Sequence, residues 1–427
     1  MKYQLSKTSF GLRVLTVPMP SLESATVTVW VKTGSRNEEA RTSGISHFLE
    51  HMVFKGSAKR PTVKEISEAV DSIGGEFNAG TSKDWTNFYI RAGSNNLETT
   101  IDVLSDMVIN PLLEPKEIER EKGTIIEEIR MYEDTPMMHI GQVFEELAFE
   151  GNPLGRDTAG TEATVRAIGR GDFIEYRQSH YHPKTMLVTV AGNVEHDRVL
   201  SLIEKYFFGI EPEKEGLHIS KAFKSNQKSP KFKLQTKKSE QAHLVLGFMG
   251  EGRDYSGRFA QSILSAILGG GMSSRMFIEV RERRGLAYSI RTSVDRYDEV
   301  GYIGTYAGVD VAKIDEAIKV MIGQCYGIAR GNLPISEVEL KNGKEFLKGH
   351  LALALEDTKD VSSFFGEQAL FLPEMLTPEE VNRKIDKVSL DEVTAEAKKL
   401  FVPARLNLAI IGPYQNKEKF VQLLEAK

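Results

Sequence analysis

The stretch HPKTMLVTVAGNVEHDRVLSLIEKYF, residues 182–207, has a counterpart in VPARLNLAIIGPYQNKEKFVQLLEAK, residues 402–427. At an offset of 220 residues Pro183 falls on Pro403 and Gly192 on Gly412, each pair bracketing an apolar strand that turns into an amphipathic helix. The same offset lays Leu113, Glu117, Ile118 and Gly123 on Leu333, Glu337, Val338 and Gly343. Chance explains two shared punctuators but not this further set, so the chain reads as an internal duplication. Within each copy, alternating strands such as 25–32 and 85–92 are interspersed with helical stretches such as 63–73 and 97–108. The expected fold is α+β, with two similar domains, each a β-sheet packed with helices. Between the copies, the charged, proline-containing and weakly periodic segment 209–230 suits a surface linker. The domains are therefore expected at 1–209 and 231–427, with the linker at 210–230.

Bulk properties narrow the classes of function. A chain of 427 residues exceeds what one hydrophobic core organises. Hydrophobic residues at 41% and charged residues at 27% are ordinary for a globular protein and too apolar for a disordered one. A net charge of −5 gives no global basic field, and no local basic patch stands out, so nucleic acid is not an expected partner. Cys325 is the single cysteine and forms no intrachain disulfide, so no oxidising compartment is required. Residues 1–20 lack the continuous apolar core of a signal peptide, and no long apolar run follows, so a cytoplasmic protein away from the membrane is expected.

The chemistry is carried by GISHFLEHMVFKG, residues 44–56. At helical spacing Ile45, Phe48, Leu49, Met52 and Val53 form one apolar stripe, and His47, Glu50 and His51 lie opposite. Two histidines four apart point the same way and can share one tetrahedral metal, while the glutamate between them can reach a water held there. Zinc brings the pKa of such a water to about 7, and Glu50 is then placed to deprotonate it for attack on a carbonyl. The bland alternative is a solvated helix face that happens to carry these three residues, so a third ligand decides. The glutamate-rich segment 114–133 offers Glu121 and Glu128, which lie seven apart and border the stripe of Ile118, Ile125 and Ile129. Glu127 projects about 100° from Glu128, which favours Glu128 over Glu127 without choosing between Glu121 and Glu128.

HFLEH at 47–51, followed by EREKGTIIEE at 119–128, resembles the pitrilysin and mitochondrial processing peptidase family, and the resemblance extends over nearly the whole chain. It implies two similar α+β domains, with Glu128 as third zinc ligand beside His47 and His51, Glu50 as base and Glu121 as a supporting acid. The spacing from His51 to Glu128 is one residue longer than in some members, which keeps Glu127 as an alternative. The second copy is an internal control: the offset of 220 sets Lys341 and Lys348 opposite Glu121 and Glu128. An offset of 215 leaves Ser262, Ser265 and Ala266 where His47, Glu50 and His51 stand. Only the first domain is expected to be catalytic, with one zinc per chain.

The resemblance also implies substrate-facing residues. GGEFNAGTSKDWTNFYI, residues 74–90, is similar to an edge strand on which peptides add as an extra strand, with Asn78 and Ala79 at the matching positions; otherwise the glycines and Asn78 simply mark turns. LGGGMSSRMFIEVRERRGLAYSI, residues 268–290, is similar to a region that aims an arginine and a tyrosine, here Arg281 and Tyr288, at the substrate. A guanidinium and a phenol suit a scissile carbonyl and the oxyanion it becomes. Their bland alternatives are a solvated charge in an RERR run and a buried strand tyrosine. No Lys-Ser/Thr follows Gly269–Gly271 in the manner of a phosphate loop. Met138 and Gln142 stand where arginine-directed processing enzymes carry acids, which argues for a broader peptidase acting on short or unfolded peptides. The resemblance implies a chamber closed by two chains, a homodimer or a heterodimer with a related subunit. The competing expectations are a non-catalytic core or scaffold subunit and a dedicated processing peptidase.

Overall fold

Strand β3 (Ser24–Val31) shows how one sequence serves two packing layers. Its alternation sends Val27, Val29 and Val31 into one apolar core, while Thr26, Thr28 and Trp30 face the other side of the sheet. All six are buried, so this strand is covered on both faces. The computed structural model describes residues 1–212 and 220–425. Of the linker expected at 210–230, residues 213–219 lie outside the described residues, and 220–230 carry neither helix nor strand.

The described residues of 1–130, 156–221 and 353–377 form one compact unit, and those of 131–155, 222–352 and 378–427 form the other. In the first, β3 joins β1 (Gln4–Lys7), β2 (Arg13–Pro18), β4 (Glu76–Thr81), β5 (Thr86–Gly93) and β6 (Met186–Gly192) in the order β1-β2-β6-β3-β5-β4. Only β2 and β6 run parallel. In the second, β7 (Lys231–Thr236), β8 (Gln241–Glu251), β9 (Ala287–Arg296), β10 (Val300–Asp310) and β11 (Leu406–Gly412) take the order β7-β11-β8-β10-β9, with β7 and β11 the parallel pair. Without β1 the two sheets have the same order and the same strand directions. Strands β6 and β11 begin and end 220 residues apart, so the repeat read from the sequence is a repeat of structure. Among the described residues no helix is long and apolar enough to cross a membrane.

Each unit completes itself with a helix from the other half of the sequence. In the first unit helix Thr358–Phe371 lies on the Thr26–Trp30 face of the sheet, where Val361, Phe365 and Phe371 meet Leu15, Trp30 and Leu187. Its polar side chains are satisfied there: Thr358 hydrogen-bonds Thr26 (2.8 Å), and Ser362 hydrogen-bonds both Thr28 (2.9 Å) and Thr189 (2.5 Å). In the second unit helix Pro136–Ala148 plays the same part, packing Phe144 against Val245, Tyr302 and Ala409. Contact is close enough to require glycine: a Cβ on Gly366 would sit 2.5 Å from Trp30 Nε1, and one on Gly247 would sit 2.4 Å from Phe144.

The helix Ile45–Val53, which carries HFLEH, is anchored at its N-terminus by a side chain from outside it. Gly44 adopts φ 96°, and a Cβ there would meet the carbonyl of Ala159 at 2.5 Å. Glycine has no side chain with which to cap the helix, and buried Glu38 does so instead. Its Oε2 accepts from Gly44 N–H (2.7 Å) and its Oε1 from Ser46 N–H (2.8 Å). Ser46 Oγ in turn meets Tyr176 Oη at 2.7 Å, and Tyr176 meets Thr33 at 3.0 Å. Burial pushes the Glu38 carboxyl up to about 7, against the pull of the Ser46 and Gly44 donors and the Arg156 charge.

Two outcomes are expected. Gly366→Ala should lower stability by about 1–3 kcal/mol in urea denaturation, because the Trp30 ring is pinned by its bond to Thr189 and cannot retreat; an unchanged midpoint would show that the helix slides instead. Glu38 takes up a proton on folding, since its folded value of about 7 lies above its ordinary 4.5. Its contribution is thus fully present below pH 4.5, is lost as pH rises to about 7, and totals roughly 3 kcal/mol. Stability measured against pH should decline less across that window in Glu38→Gln than in the parent; parallel curves would refute the assignment.

Candidate metal centre and active site

Two helices bring the candidate ligands together. On Ile45–Val53 the stripe Ile45, Phe48, Leu49, Met52 and Val53 is buried, leaving half-buried His47, Glu50 and His51 on the opposite face. On the long helix Pro115–Asp134, Ile118, Ile125, Ile126 and Ile129 are buried with Glu121, and Glu128 is half-buried beside them. Glu128 Oε2 then lies 3.7 Å from His47 Nε2 and 3.6 Å from His51 Nε2. Ligands at zinc distance on a tetrahedron stand about 3.4 Å apart, so the three atoms already have close to the required spread. Among the described residues this is the one place where three His, Cys, Asp or Glu side chains converge in this way.

The surroundings prepare these atoms for a metal. Glu121 Oε1 sits 2.9 Å from His51 Nδ1, and its Oε2 sits 2.6 Å from Lys55 Nζ. With the Nδ1 proton directed at Glu121, the Nε2 lone pair of His51 faces Glu128, the tautomer a metal ligand needs. Burial works against the Glu121 charge, but its bonds to His51 and Lys55 outweigh burial and hold it below the usual carboxylate range. Burial and the neighbouring His51 bring His47 down to about 4, so its imidazole is neutral and can coordinate. Burial likewise lowers His51, yet the Glu121 bond and charge, followed by Glu128 and Glu50, leave it raised overall. Two imidazole nitrogens and one carboxylate, with a fourth position open, fit zinc in its catalytic form. Burial raises Glu128 and Glu50 as well; the bond from Thr81 Oγ1 to Glu50 Oε2, 2.5 Å, works in the opposite direction.

The other sequence candidates fall in distinct places. Glu127 is exposed and pairs with Arg130 at 2.8 Å, outside the cluster. Asn78 and Ala79 lie on β4, the open edge of the first sheet, where Asn78 Oδ1 accepts from Ala79 N–H at 2.8 Å. Arg281 and Tyr288 belong to the second unit and adjoin each other. Arg281, in a π-helical turn (Phe277–Glu282), stacks over Tyr288 at 5.4 Å and Phe277 at 4.7 Å. Tyr288 is 77% exposed, which removes the alternative of a buried strand tyrosine. The glycine triplet has a packing reason, since a Cβ on Gly269 would meet Thr292 Oγ1 at 2.2 Å. Met138 is exposed, whereas Gln142 donates to the Gly155 carbonyl at 3.1 Å. Opposite Glu121 and Glu128, Lys341 and Lys348 stand on helix Glu337–Ala354, and Lys348 pairs with Asp386 and Glu345 at 2.8 Å each.

Four residues around the cluster escape a reading by motif: Lys55, Thr81, Glu38 and Tyr176. Lys55 has a weak signal, four residues beyond His51. Thr81 has a stronger one, because counting by two along β4 from Phe77 through Ala79 puts it on the face turned to the core. Glu38 and Tyr176 have none, since their contacts depend on tertiary folding.

Two family models match the chain, meeting between residues 162 and 167. Residues 13–162 match the domain described as Insulinase (Peptidase family M16), and residues 167–347 match the Peptidase M16 inactive domain. The chain is 35% identical over 412 residues to an uncharacterized zinc protease of Streptomyces coelicolor, covering 96% of this chain and 89% of that one. It is 34% identical over 410 residues to the uncharacterized zinc protease YmxG of Bacillus subtilis, covering 95% and 97%. A crystal structure of a protease from Helicobacter pylori superposes with a TM-score of 0.90 at 22% identity, over 96% of this chain and all (100%) of that one, a likeness of fold. With sequence relatives that span its length and matching domains in both halves, the chain belongs to the insulinase, or pitrilysin, family of peptidases, M16.

Proposed function

We propose that this protein is a zinc endopeptidase that hydrolyses short or unfolded peptides, with His47, His51 and Glu128 holding one zinc per chain and Glu50 acting as base. The observation that carries the reading is the convergence of two imidazole nitrogens and a carboxylate oxygen within 4.8 Å of one another. Names of the relatives as zinc proteases support the class of reaction. Zinc, when bound, supplies a Lewis acid that polarises a peptide carbonyl and acidifies water. Glu50, on the ligand face of its helix and raised by burial above the usual carboxylate range, takes a proton from the attacking water. The water oxygen bonds to the carbonyl carbon, the C–N bond breaks, and the proton held on Glu50 passes to the departing amine. Glu121 is the supporting acid that keeps His51 oriented through Nδ1.

In this reading residues 1–209 are the catalytic domain, 210–230 the linker and 231–427 an inactive repeat that contributes to substrate binding. The peptide extends the first sheet along β4 through its main chain, past Asn78 and Ala79, and so is bound with little regard to side chains. Arg281 and Tyr288 donate to the scissile carbonyl oxygen as it gains charge. They are supplied by a second chain, the same or a related one, so that two chains enclose the site. A single buried cysteine fits a cytoplasmic setting.

Glu50→Gln should retain zinc and lose hydrolysis of a mixed peptide pool by at least ~100-fold, because an amide cannot accept the proton. His51→Ala should lose the metal, and Glu128→Gln should weaken zinc binding where Glu127→Gln does not. Metal analysis combined with turnover checks all four; Glu50→Gln turnover close to the parent's would remove Glu50 as base. A metal-free, inactive parent would favour the scaffold reading.

The two-chain site has its own test. Glu50→Gln protein and Arg281→Ala protein, each nearly inactive, should regain activity when mixed so that subunits exchange, because one hybrid site then holds both intact residues. Exchange without recovery, or a monomer active at every dilution, would contradict a site shared between chains.

A further inference from the structure

We infer that Thr81 is a positioning residue that ties the arrival of a peptide strand on β4 to the orientation of the Glu50 carboxylate. The inference rests on the reading of Glu50 as base and of β4 as the docking edge, and it assigns a role to a residue outside the metal-binding motif.

The argument begins with the strand. Phe77 and Ala79 pack against the core of the first unit, Phe77 meeting the Phe54 ring at 5.5 Å. Side chains alternate along a strand, so Thr81 shares this face, and its hydroxyl donates to Glu50 Oε2 at 2.5 Å. Backbone direction alternates as well. Ser82 N–H donates to the Trp85 carbonyl at the turn, and the register pairs Gly80 with Asn87 and Asn78 with Tyr89. Those pairs exchange the ladder bonds with β5, which leaves the N–H and C=O groups of Phe77, Ala79 and Thr81 directed at the open edge. Ala79 N–H is indeed bonded to Asn78 Oδ1 instead of the ladder.

Thr81 thus offers its backbone to an added strand and its side chain to the base. A docked strand immobilises its main chain, and a β-branched residue with a fixed main chain has little freedom at χ1. The hydroxyl is then held on Oε2, and Oε1 is left to take the proton. The plain alternative is that threonine is there because it favours strands and that its hydroxyl merely finds an acceptor. Valine separates the two, having the same shape and a strong strand preference but no donor.

Thr81→Val should lower kcat by ~10- to 100-fold, the weight of a hydrogen bond to a charged group, with zinc content unchanged and KM within about threefold of the parent. Thr81→Ser, which keeps the donor but not the β-branch, should recover part of the loss. If the parent is active and Glu50→Gln is dead, yet Thr81→Val keeps its kcat or Thr81→Ser is equally impaired, the inference is overturned and the reading of the site survives. A parent that cleaves nothing removes both. A crystal structure of the zinc-loaded protein gives a readout independent of turnover: the Glu50 carboxylate should meet the Thr81 hydroxyl, and a carboxylate turned away from it overturns the inference whatever the activity. That structure also decides the matter should Thr81→Val fail to fold.

Discussion

The candidate site depends on one buried carboxylate. Glu121 is only 3% exposed, yet its carboxyl is held below the usual carboxylate range against the effect of burial, because Lys55 and His51 each hold one of its oxygens. Leaving a buried carboxylate unpaired costs several kcal/mol, whereas this one is matched on both sides. It belongs to the long helix Pro115–Asp134, and both partners come from the HFLEH segment. The contact therefore fixes the rotation of one helix against the other. That rotation sets Glu128, two turns along the same face, between the Nε2 atoms of His47 and His51. The ligand geometry is thus a consequence of helix packing, and the apolar stripes below supply most of the energy that maintains it.

How far the site was legible follows from the range of each contact. The stripe Ile45, Phe48, Leu49, Met52 and Val53 is a matter of 3.6-residue periodicity within one helix, and the described burial agrees with it residue by residue. Glu127 and Glu128 separate for the same reason, being about 100° apart on one helix. Helical geometry alone leaves Glu121 and Glu128 equivalent. Their difference, Nδ1 of His51 for one and the paired Nε2 atoms for the other, arises from the angle between two helices that sequence spacing does not encode. Glu38 and Tyr176 lie further beyond reach, since each meets its partner only after the first sheet and its helices have assembled, whereas alternation along β4 already turns Thr81 to the core-facing side. The family resemblance supplied Arg281 and Tyr288; the exposure of Tyr288 could not be read from strand alternation, because alternation assigns a side chain to a face and does not say what covers that face.

The duplicated fold was the most legible feature, and its packing explains why. Strands β6 and β11 are buried at every position, so they appear as mainly apolar runs, interrupted by Thr189 in one and Asn407 in the other, and flanked by the same proline and glycine. Such burial requires a helix on each face of each sheet. What the repeat does not announce is the source of the second layer. Helix Thr358–Phe371 covers the first sheet and helix Pro136–Ala148 the second, each supplied by the opposite half of the sequence. The compact units therefore differ from the two contiguous halves.

This arrangement also bears on why one copy of a duplicated scaffold can lose its metal chemistry without losing its fold. In the first unit the polar face of the long helix is committed to histidines, and Glu121 is buried as part of that commitment. In the second, Lys348 on the corresponding helix reaches out to Glu345 and Asp386, half-exposed or exposed pairs of a kind worth little to stability. Leu340 and Gly343 on that helix remain buried, and the core beside them runs through Ile263, Leu264 and Ile267 of helix Arg258–Gly269, which occupies the place of the HFLEH helix. The apolar positions are constrained by packing in both copies, while the polar face is free to vary wherever no ligand set depends on it. Packing fixes Glu121 through its two partners but does not specify histidine at 47 and 51 or glutamate at 50 and 128; under the proposed function those four are kept by the chemistry they share.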